Sequence, residues 1–229
     1  MKIKNDYTEM QRSFYNKTSH VMNTLNHRNH DSNPDYWDIL LKPFSGGDFS
    51  NKIGLDFGCG CGRNVINVLD NYDIGEMHGC DISEENIKFC FENLKNTSHD
   101  NYNFFVSDGQ SLNPSKENNY DIIISTIVLQ HICVYEIRKS ILTDMYRCLK
   151  EGGILSFQMG FGNAKSNARD YYDNYYEAEG TNSKCDTKVT DPQQLINDLK
   201  DIGFKSIIYT IRKSYCDEHG EWIFIECKK

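Results

Sequence analysis

A glycine-rich run is the strongest chemical signal in the sequence. Residues 56–63 read D-F-G-C-G-C-G-R, and they stand between a short apolar segment and a stretch with helical periodicity. Glycines let the backbone adopt positive φ and approach a ligand closely, and free N–H groups at a helix N-terminus attract a phosphate or carboxylate. The G-x-G-x-G spacing matches neither the dinucleotide fingerprint G-x-G-x-x-G nor the P-loop. The run therefore predicts a ligand-binding turn between a strand and a helix.

Two further acidic positions follow apolar segments. Asp81 lies 19 residues after Gly62, where a carboxylate can accept hydrogen bonds from both hydroxyls of a ribose, and Ile82 beside it can pack on an adenine face. Asp108 can accept from an exocyclic adenine amine, and Gly109 lets that loop pass close to a ligand. The plainer alternatives are that Asp81 helps Ser83 to cap the next helix and that Asp108-Gly109 is an ordinary turn.

The elements that position these residues alternate along the chain. From residue 51 to 160 five short apolar segments alternate with amphipathic helical stretches, which is typical of a doubly wound α/β fold with a parallel sheet. Residues 205–211 and 221–226 are rich in β-formers, and the link between them is too short for a crossover helix. They must form a hairpin, so one strand is antiparallel. We predict a Rossmann-like, seven-stranded, mostly parallel sheet that a C-terminal antiparallel hairpin completes.

The chain divides into a single domain with two additions. Residues 1–50 form a predicted helical cap, 51–160 the ligand-binding core, 161–189 a polar, tyrosine-rich lid insertion after strand five, and 190–229 a helix and the closing hairpin. Since long insertions in compact domains are often lids, we expect the second ligand to meet the cap and the lid. Tyrosine rings offer an apolar face and a hydroxyl, which suits sugars and other polar organic molecules. The candidate contacts are Tyr36, Trp37, Arg169, Tyr172 and Tyr176.

Composition excludes several functions. The 229 residues hold 25 Lys and Arg against 33 Asp and Glu, a net charge of −8, which disfavours nucleic acid as a partner. The longest apolar region, 122–134, is too short and too polar to span a membrane. Nine cysteines with scattered spacing and no apparent signal peptide predict reduced thiols and a cytoplasmic protein. Cys59 and Cys61 with His78 and Cys80 could hold zinc, but the glycines assign that loop to a small ligand, so we expect no metal.

Together these motifs resemble the class I S-adenosylmethionine-dependent methyltransferases. The resemblance rests on the loop 56–63, Asp81, Asp108-Gly109, the runs Y-D-I-I-I-S at 120–125 and V-L-Q-H-I at 128–132, and R-C-L-K-E-G-G at 147–153. It implies S-adenosyl-L-methionine as the cofactor and S-adenosyl-L-homocysteine as the product. The residues that it implies for cofactor binding are Asp56, Gly58, Gly60, Gly62, Arg63, Asp81, Ile82, Asp108, Gly109, Ser125 and Gln130.

Methyl transfer from a sulfonium is an in-line displacement in which the enzyme positions the acceptor and excludes water. An oxygen or nitrogen acceptor must also lose a proton, so a general base helps. We hypothesise that His131, near the end of strand four, is that general base; alternatively it only hydrogen-bonds a neighbouring loop.

The fourth strand lacks the D/N-P-P-Y motif of nucleobase methylation, so the expected acceptor is a small polar metabolite such as a sugar or glycan precursor. Protein N-methylation, cofactor binding without catalysis and a nucleotide-binding oxidoreductase are the alternatives.

Overall fold

Seven strands form one sheet in the computed structural model, which describes residues 2–22, 35–95, 97–162, 168–174, 186–214 and 219–229. The strands are β1 (Phe49–Phe57), β2 (Ile74–Asp81), β3 (Tyr102–Val106), β4 (Tyr120–Ser125), β5 (Leu149–Phe161), β6 (Lys205–Lys213) and β7 (Glu221–Lys228). Their order is β3-β2-β1-β4-β5-β7-β6. Strands β1 to β5 are parallel, and β7 runs antiparallel to both of its neighbours. The predicted fold class is confirmed.

Helices cover both faces of this sheet. They are α1 (Lys2–Met22), α2 (Asp35–Leu40), α3 (Lys42–Ser45), α4 (Arg63–Asn71), α5 (Glu84–Leu94), α6 (Tyr135–Cys148) and α7 (Pro192–Ile202), with a 3-10 turn at Leu129–His131. Ser83 caps α5 by accepting the amide of Asn86, as its sequence position predicts, and Asp191 forms a capping box with Gln194 at the start of α7. Among the described residues, no helix is long and apolar enough to cross a membrane.

The isoleucine run in β4 shows how the two layers are built. Ile122 and Ile124 join the core between the sheet and helices α4 and α5, whereas Ile123 joins the core beneath α6 and α7. All three are fully buried. Because side chains alternate along a strand, only a strand covered on both faces buries consecutive residues.

Two sequence expectations about element boundaries were wrong. In the sequence, Ser32-Asn33-Pro34 reads as an N-cap followed by proline and predicts one helix that ends near Pro43 and the Gly46-Gly47 pair. The described part instead has two short helices, α2 and α3, and residues 32–34 lie outside the described residues. Pro43 stands in the first turn of α3, where its missing N–H costs nothing. The sequence Glu151-Gly152-Gly153 predicts the end of the preceding helix at that point; instead α6 ends at Cys148, and β5 already begins at Leu149.

The insertion after β5 returns to the sheet before α7 begins. Val189 pairs with Phe161 at the end of β5, and Thr187 pairs with Arg169 across the insertion. The amide of Thr187 also donates to the carbonyl of Gln130, at 2.7 Å. These bonds bring residues 186–189 to the edge of the sheet where the glycine-rich loop lies.

Candidate functional site

A cavity of about 600 Å³ opens at the carboxyl ends of strands β1 to β4. It lies where the strand order reverses between β1 and β4, the position at which open α/β sheets bind their ligands. Its wall is formed by the glycine-rich loop, the residues that follow β2, β3 and β4, one face of α1, and Asp186 of the insertion. The cavity lies at the edge of the sheet where the sequence predicts a ligand.

The glycine-rich loop requires its glycines for different reasons. Gly58 and Gly60 line the cavity with φ of 73° and 53°, a conformation that other residues rarely adopt. A Cβ at position 58 would lie 2.3 Å from a methyl carbon of Val128, whereas position 60 has open space around it. Gly62 lies outside the lining and serves as the N-cap of α4. Arg63, the first residue of α4, lines the cavity.

Asp81 ties this loop to the end of β2. One carboxylate oxygen accepts the amide of Gly60 at 3.0 Å, and the other accepts the Ser83 amide at 2.8 Å and the Asn86 side chain at 3.2 Å. Burial raises the pKa of Asp81, and the bonds from Ser83, Gly60 and Asn86 oppose that rise. Asp81 and Ile82 both line the cavity. Asp81 therefore supports the next helix and also faces the ligand space.

Asp56 lies behind the cavity wall, at the end of β1. Its Oδ1 accepts the side chain of Asn64 at 3.1 Å, and its buried Oδ2 has no hydrogen-bond partner among the described residues. Burial raises the pKa of Asp56 to about 7. Asn64 and Thr126 line the cavity, and each has a buried oxygen without a partner in the described structure. Because buried polar atoms are normally hydrogen-bonded, this wall fits a ligand that carries polar groups.

Besides Asp56 and Gly62, three more predicted cofactor residues lie outside the lining. The exposed Asp108 accepts the amides of Gln110 and Ser111 at 2.8 and 2.7 Å, so its carboxylate closes its own turn. Ser107 and Gly109, on either side of it, line the cavity instead. The Ser125 hydroxyl is buried and donates to the carbonyl of Phe57 at 3.0 Å.

Gln130, the third of these predicted cofactor residues, is fully buried and supports the backbone of the turn after β4. Its side-chain oxygen accepts from Gln158 at 3.0 Å, and the Gln158 oxygen accepts the amide of Ile127 at 2.8 Å. Ile127 lines the cavity with φ of 56°, which is rare for a β-branched residue. The two glutamines therefore hold the turn after β4 in a conformation that it would not adopt alone.

His131 lies in the cavity wall at the end of the 3-10 turn. Its Nδ1 is 2.7 Å from a carboxylate oxygen of Asp186, which is completely buried, while the imidazole keeps 20% of its surface exposed. The hydroxyl of Tyr7 donates to the carbonyl of His131 at 2.9 Å and accepts the amide of Cys133 at 3.0 Å. Sequence reasoning missed Asp186, because no motif marks an aspartate 55 residues away from its partner.

Helix α1 supplies a second set of residues that the sequence did not reveal. Tyr7, Thr8, Gln11, Phe14 and Tyr15 form one helical face, and all of them line the cavity. Their spacing was visible, but the sequence alone suggested only a cap with weak periodicity. Asn16 fastens this helix to the cofactor side of the fold, because its side chain accepts the hydroxyl of Ser83 at 2.8 Å.

Of the residues expected to contact the acceptor, the two whose side chains are described, Arg169 and Tyr172, do not line the described part of the cavity. Tyr172 is half exposed and makes edge contacts with Tyr135 and Tyr171, each at 5.0 Å between ring centres. Arg169 takes part through its backbone, which donates to the carbonyl of Asp186 at 2.7 Å. Tyr176 and the side chains of Tyr36 and Trp37 lie outside the described residues.

The cysteines near the loop do not form a metal centre. Cys59 and Cys90 have their sulfur atoms 3.8 Å apart, and the Cys90 thiol donates to the carbonyl of Gly60 at 3.0 Å. Burial raises the pKa of the Cys59 thiol well above its ordinary value. Within the described ranges, no three metal-ligating side chains come together as a site.

Known proteins share this core. A family model described as a methyltransferase domain matches residues 55–153. Carboxy-S-adenosyl-L-methionine synthase 1 of Yersinia pseudotuberculosis is 26% identical over 64% of this chain and 61% of its own length. Malonyl-[acyl-carrier protein] O-methyltransferase 2 of Ilyobacter polytropus is 29% identical over 65% of this chain and 51% of its own length.

Among solved structures, phosphoethanolamine N-methyltransferase 2 of Haemonchus contortus, in complex with S-adenosyl-L-methionine, superimposes with a TM-score of 0.65. It is 18% identical and covers 83% of this chain and 51% of its own length. Residues 55–153 therefore match a methyltransferase domain, in agreement with the resemblance that the motifs predict. The chain spans 61% of the length of the first curated relatives that it matches.

Proposed function

We propose that the protein transfers a methyl group from S-adenosyl-L-methionine to a hydroxyl or amine of a small polar metabolite, with His131 as the general base. One observation carries the proposal: the imidazole of His131, hydrogen-bonded to the buried Asp186, shares a single cavity with Gly58, Gly60 and Asp81. A base and a loop suited to the cofactor therefore face the same space.

The described residues fit the cofactor. Asp81 presents a carboxylate for ribose hydroxyls, Ile82 an apolar surface for the adenine ring, and the loop backbone with Arg63 a cradle for the methionyl carboxylate. Asp56, behind Asn64, adds negative charge on the side where the methionyl ammonium would lie. The cofactor, when bound, supplies a methyl group on a positively charged sulfur.

The remaining chemistry belongs to the chain. His131 would accept the proton of the acceptor at Nε2, since Nδ1 is directed to Asp186. Val128 and Ile132 flank it with apolar side chains that exclude water from the transfer. The carbonyl of His131 is fixed by Tyr7, so the base does not depend on an exposed loop for its position.

The chemistry of the α1 face supports a small polar acceptor. Thr8, Gln11 and Tyr15 offer neutral hydrogen-bonding groups, and Phe14 offers an aromatic surface. This combination suits hydroxylated organic molecules, of which sugars and glycan precursors are examples. A cavity of about 600 Å³ is within the usual size of small-molecule sites.

Calorimetric titration tests the cofactor assignment before any acceptor is known. We expect S-adenosyl-L-methionine and S-adenosyl-L-homocysteine to bind the wild-type protein and NAD not to bind. Saturable binding of NAD with no response to the two sulfur compounds would contradict the proposed function. Product mass in an acceptor screen then separates small metabolites from protein acceptors and from binding without transfer.

A further inference from the structure

Asp186 is placed between two histidines from distant parts of the chain. One of its oxygens is 2.7 Å from Nδ1 of His131, and the other is 3.8 Å from Nε2 of His219. The side chains of Asp186 and His219 are completely buried, whereas His131 is partly open to the cavity. The three side chains therefore form a row that runs from His131 in the cavity wall, through Asp186, to His219 in the protein interior.

The backbone fixes Asp186 from both sides. Its carbonyl accepts the amide of Arg169, and the amide of the next residue, Thr187, donates to the carbonyl of Gln130, the neighbour of His131; both distances are 2.7 Å. The insertion is therefore fastened to the 3-10 turn at the very residue that precedes the candidate base.

His219 occupies a space that a glycine leaves open. A Cβ at Gly160 would lie 2.3 Å from the Cε1 and Nδ1 atoms of the imidazole, so the ring packs directly on the backbone of β5. Neither ring nitrogen of His219 has a hydrogen-bond partner among the described residues, and neither has Oδ2 of Asp186. Burial lowers the pKa of His219, which keeps this imidazole neutral near pH 7.

We propose that Asp186 is a positioning residue: it holds His131 with the proton on Nδ1, so that Nε2 serves the cavity, and His219 packs behind the carboxylate to keep it in place. The catalytic purpose of this arrangement rests on the proposed function. The tautomer of His131 and its contact with Asp186, however, can be measured in the protein without cofactor or acceptor.

In the proposed methyl transfer one bond forms, one bond breaks and one proton moves. The acceptor oxygen or nitrogen forms a bond to the methyl carbon, and the carbon–sulfur bond breaks with its electron pair going to sulfur, which becomes a neutral thioether. The acceptor proton moves to Nε2 of His131, and the resulting imidazolium lies beside the Asp186 carboxylate. Release of that proton to water restores the base.

Among the described residues, neighbouring titratable and charged groups bond to the backbone on either side of the His131 imidazole. Tyr7 and the guanidinium of Arg138 bond to the backbone carbonyls of His131 and Ile132, respectively, and not to the imidazole. The backbone amide of Cys133 donates to the hydroxyl of Tyr7. Asp186 lies between His219 and His131, and its carboxylate beside Nδ1 is the charge to which we assign the tautomer.

Nitrogen-15 NMR of histidine-labelled protein tests this without cofactor or acceptor. His131→Gln identifies the signals of His131. We expect the neutral wild-type imidazole to carry its proton on Nδ1. We also expect Asp186→Asn to lower the pKa of His131 by at least about 1, because the opposing charge is removed. Asp170→Asn, the same change on an exposed residue of the insertion, should leave the tautomer and the pKa of His131 unchanged. A wild-type Nε2–H tautomer, or a pKa that Asp186→Asn does not move, would overturn the proposal.

Turnover of an identified acceptor gives the second test. Asp186→Asn should reduce kcat by about 10²-fold to 10⁴-fold, the contribution of an oriented general base, while the Kd of S-adenosyl-L-methionine stays within about twofold of wild type. The double variant with His131→Ala should be no slower than His131→Ala alone. Additive losses would overturn the proposal. Absence of methyl transfer in the wild type would instead contradict the proposed function and leave the NMR results unaffected.

Discussion

The amide of Gly60 donates to the carboxylate of Asp81 at 3.0 Å, so the glycine-rich loop and the end of β2 are directly joined. The same carboxylate receives two further bonds from Ser83 and Asn86 at the start of α5. A single side chain therefore sets the relative position of the two surfaces that would hold the methionyl and ribose parts of the cofactor.

Asp81→Asn should weaken S-adenosyl-L-methionine binding by about 10²-fold, because charge-assisted hydrogen bonds contribute about 1.5–3 kcal/mol. Part of the loss comes from the loop, since the amides of Gly60 and Ser83 lose a charged acceptor. Calorimetric titration measures the effect. Asp100→Asn, the same change at an exposed position, is the control and should bind as wild type does. Equal affinities for the Asp81→Asn variant and wild type would contradict the assignment of the ribose site.

Cofactor affinity should fall as the pH is lowered through 7. Burial raises the pKa of Asp56 to about 7, so above that pH the carboxylate is ionised and attracts the ammonium of the methionyl group. Below it the protonated acid gives no such attraction, and the Kd should rise by at most about tenfold per pH unit. Titration between pH 5.5 and 7.5 stays below the usual pKa of an α-amino group. Asp56→Asn should bind more weakly at pH 7.5 and show no such dependence; an unchanged slope would refute the role of Asp56.

Gly160→Ala should destabilise the protein, because the new Cβ would lie 2.3 Å from the buried ring of His219. Overpacking of this kind costs about 1–3 kcal/mol. The free energy of unfolding from denaturant titration measures it. Gly46→Ala is the matched control, since nothing lies within 4 Å of its Cβ, and it should change stability little. Equal stabilities for the two variants would mean that His219 does not pack on Gly160.

Tyr7→Phe should loosen the attachment of α1 to the site. The hydroxyl bonds the carbonyl of His131 and the amide of Cys133, and both groups would lose a buried partner. We expect a loss of about 1–3 kcal/mol in unfolding free energy, together with faster hydrogen exchange of the Cys133 amide. Tyr209→Phe, on a half-exposed tyrosine of β6, should leave both quantities unchanged. Protection of the Cys133 amide that survives in Tyr7→Phe would argue against this anchor.

The sequence predicted the fold and the edge of the sheet at which the cavity opens, because both depend on local signals. The alternation of apolar segments and helices fixes the sheet, and the glycine spacing at 58, 60 and 62 requires a close approach of the backbone. Asp81 and Ile82 follow from the same rule, since polar residues after parallel strands meet at one edge.

The rest depends on contacts between distant residues, which no local pattern encodes. Asp186 reaches His131 because the insertion pairs with β5 and with Gln130, and the α1 face reaches the cavity because Tyr7 and Asn16 anchor that helix. Asp108 shows the converse: its spacing suits an adenine contact, yet its carboxylate closes its own turn. Tertiary structure decided these three outcomes.

Transfer of an isotope-labelled methyl group shows whether the protein methylates a small molecule and whether His131 is needed for it. The wild-type protein and His131→Ala are incubated with methyl-labelled S-adenosyl-L-methionine and a set of hydroxylated and amine-bearing metabolites, and products are identified by mass. We predict a labelled small-molecule product and an equal yield of S-adenosyl-L-homocysteine with wild type. With His131→Ala we predict at least about 10²-fold slower transfer and an unchanged cofactor Kd. Equal rates for the two proteins would rule out His131 as the base, and label found only in protein would rule out a small-molecule acceptor.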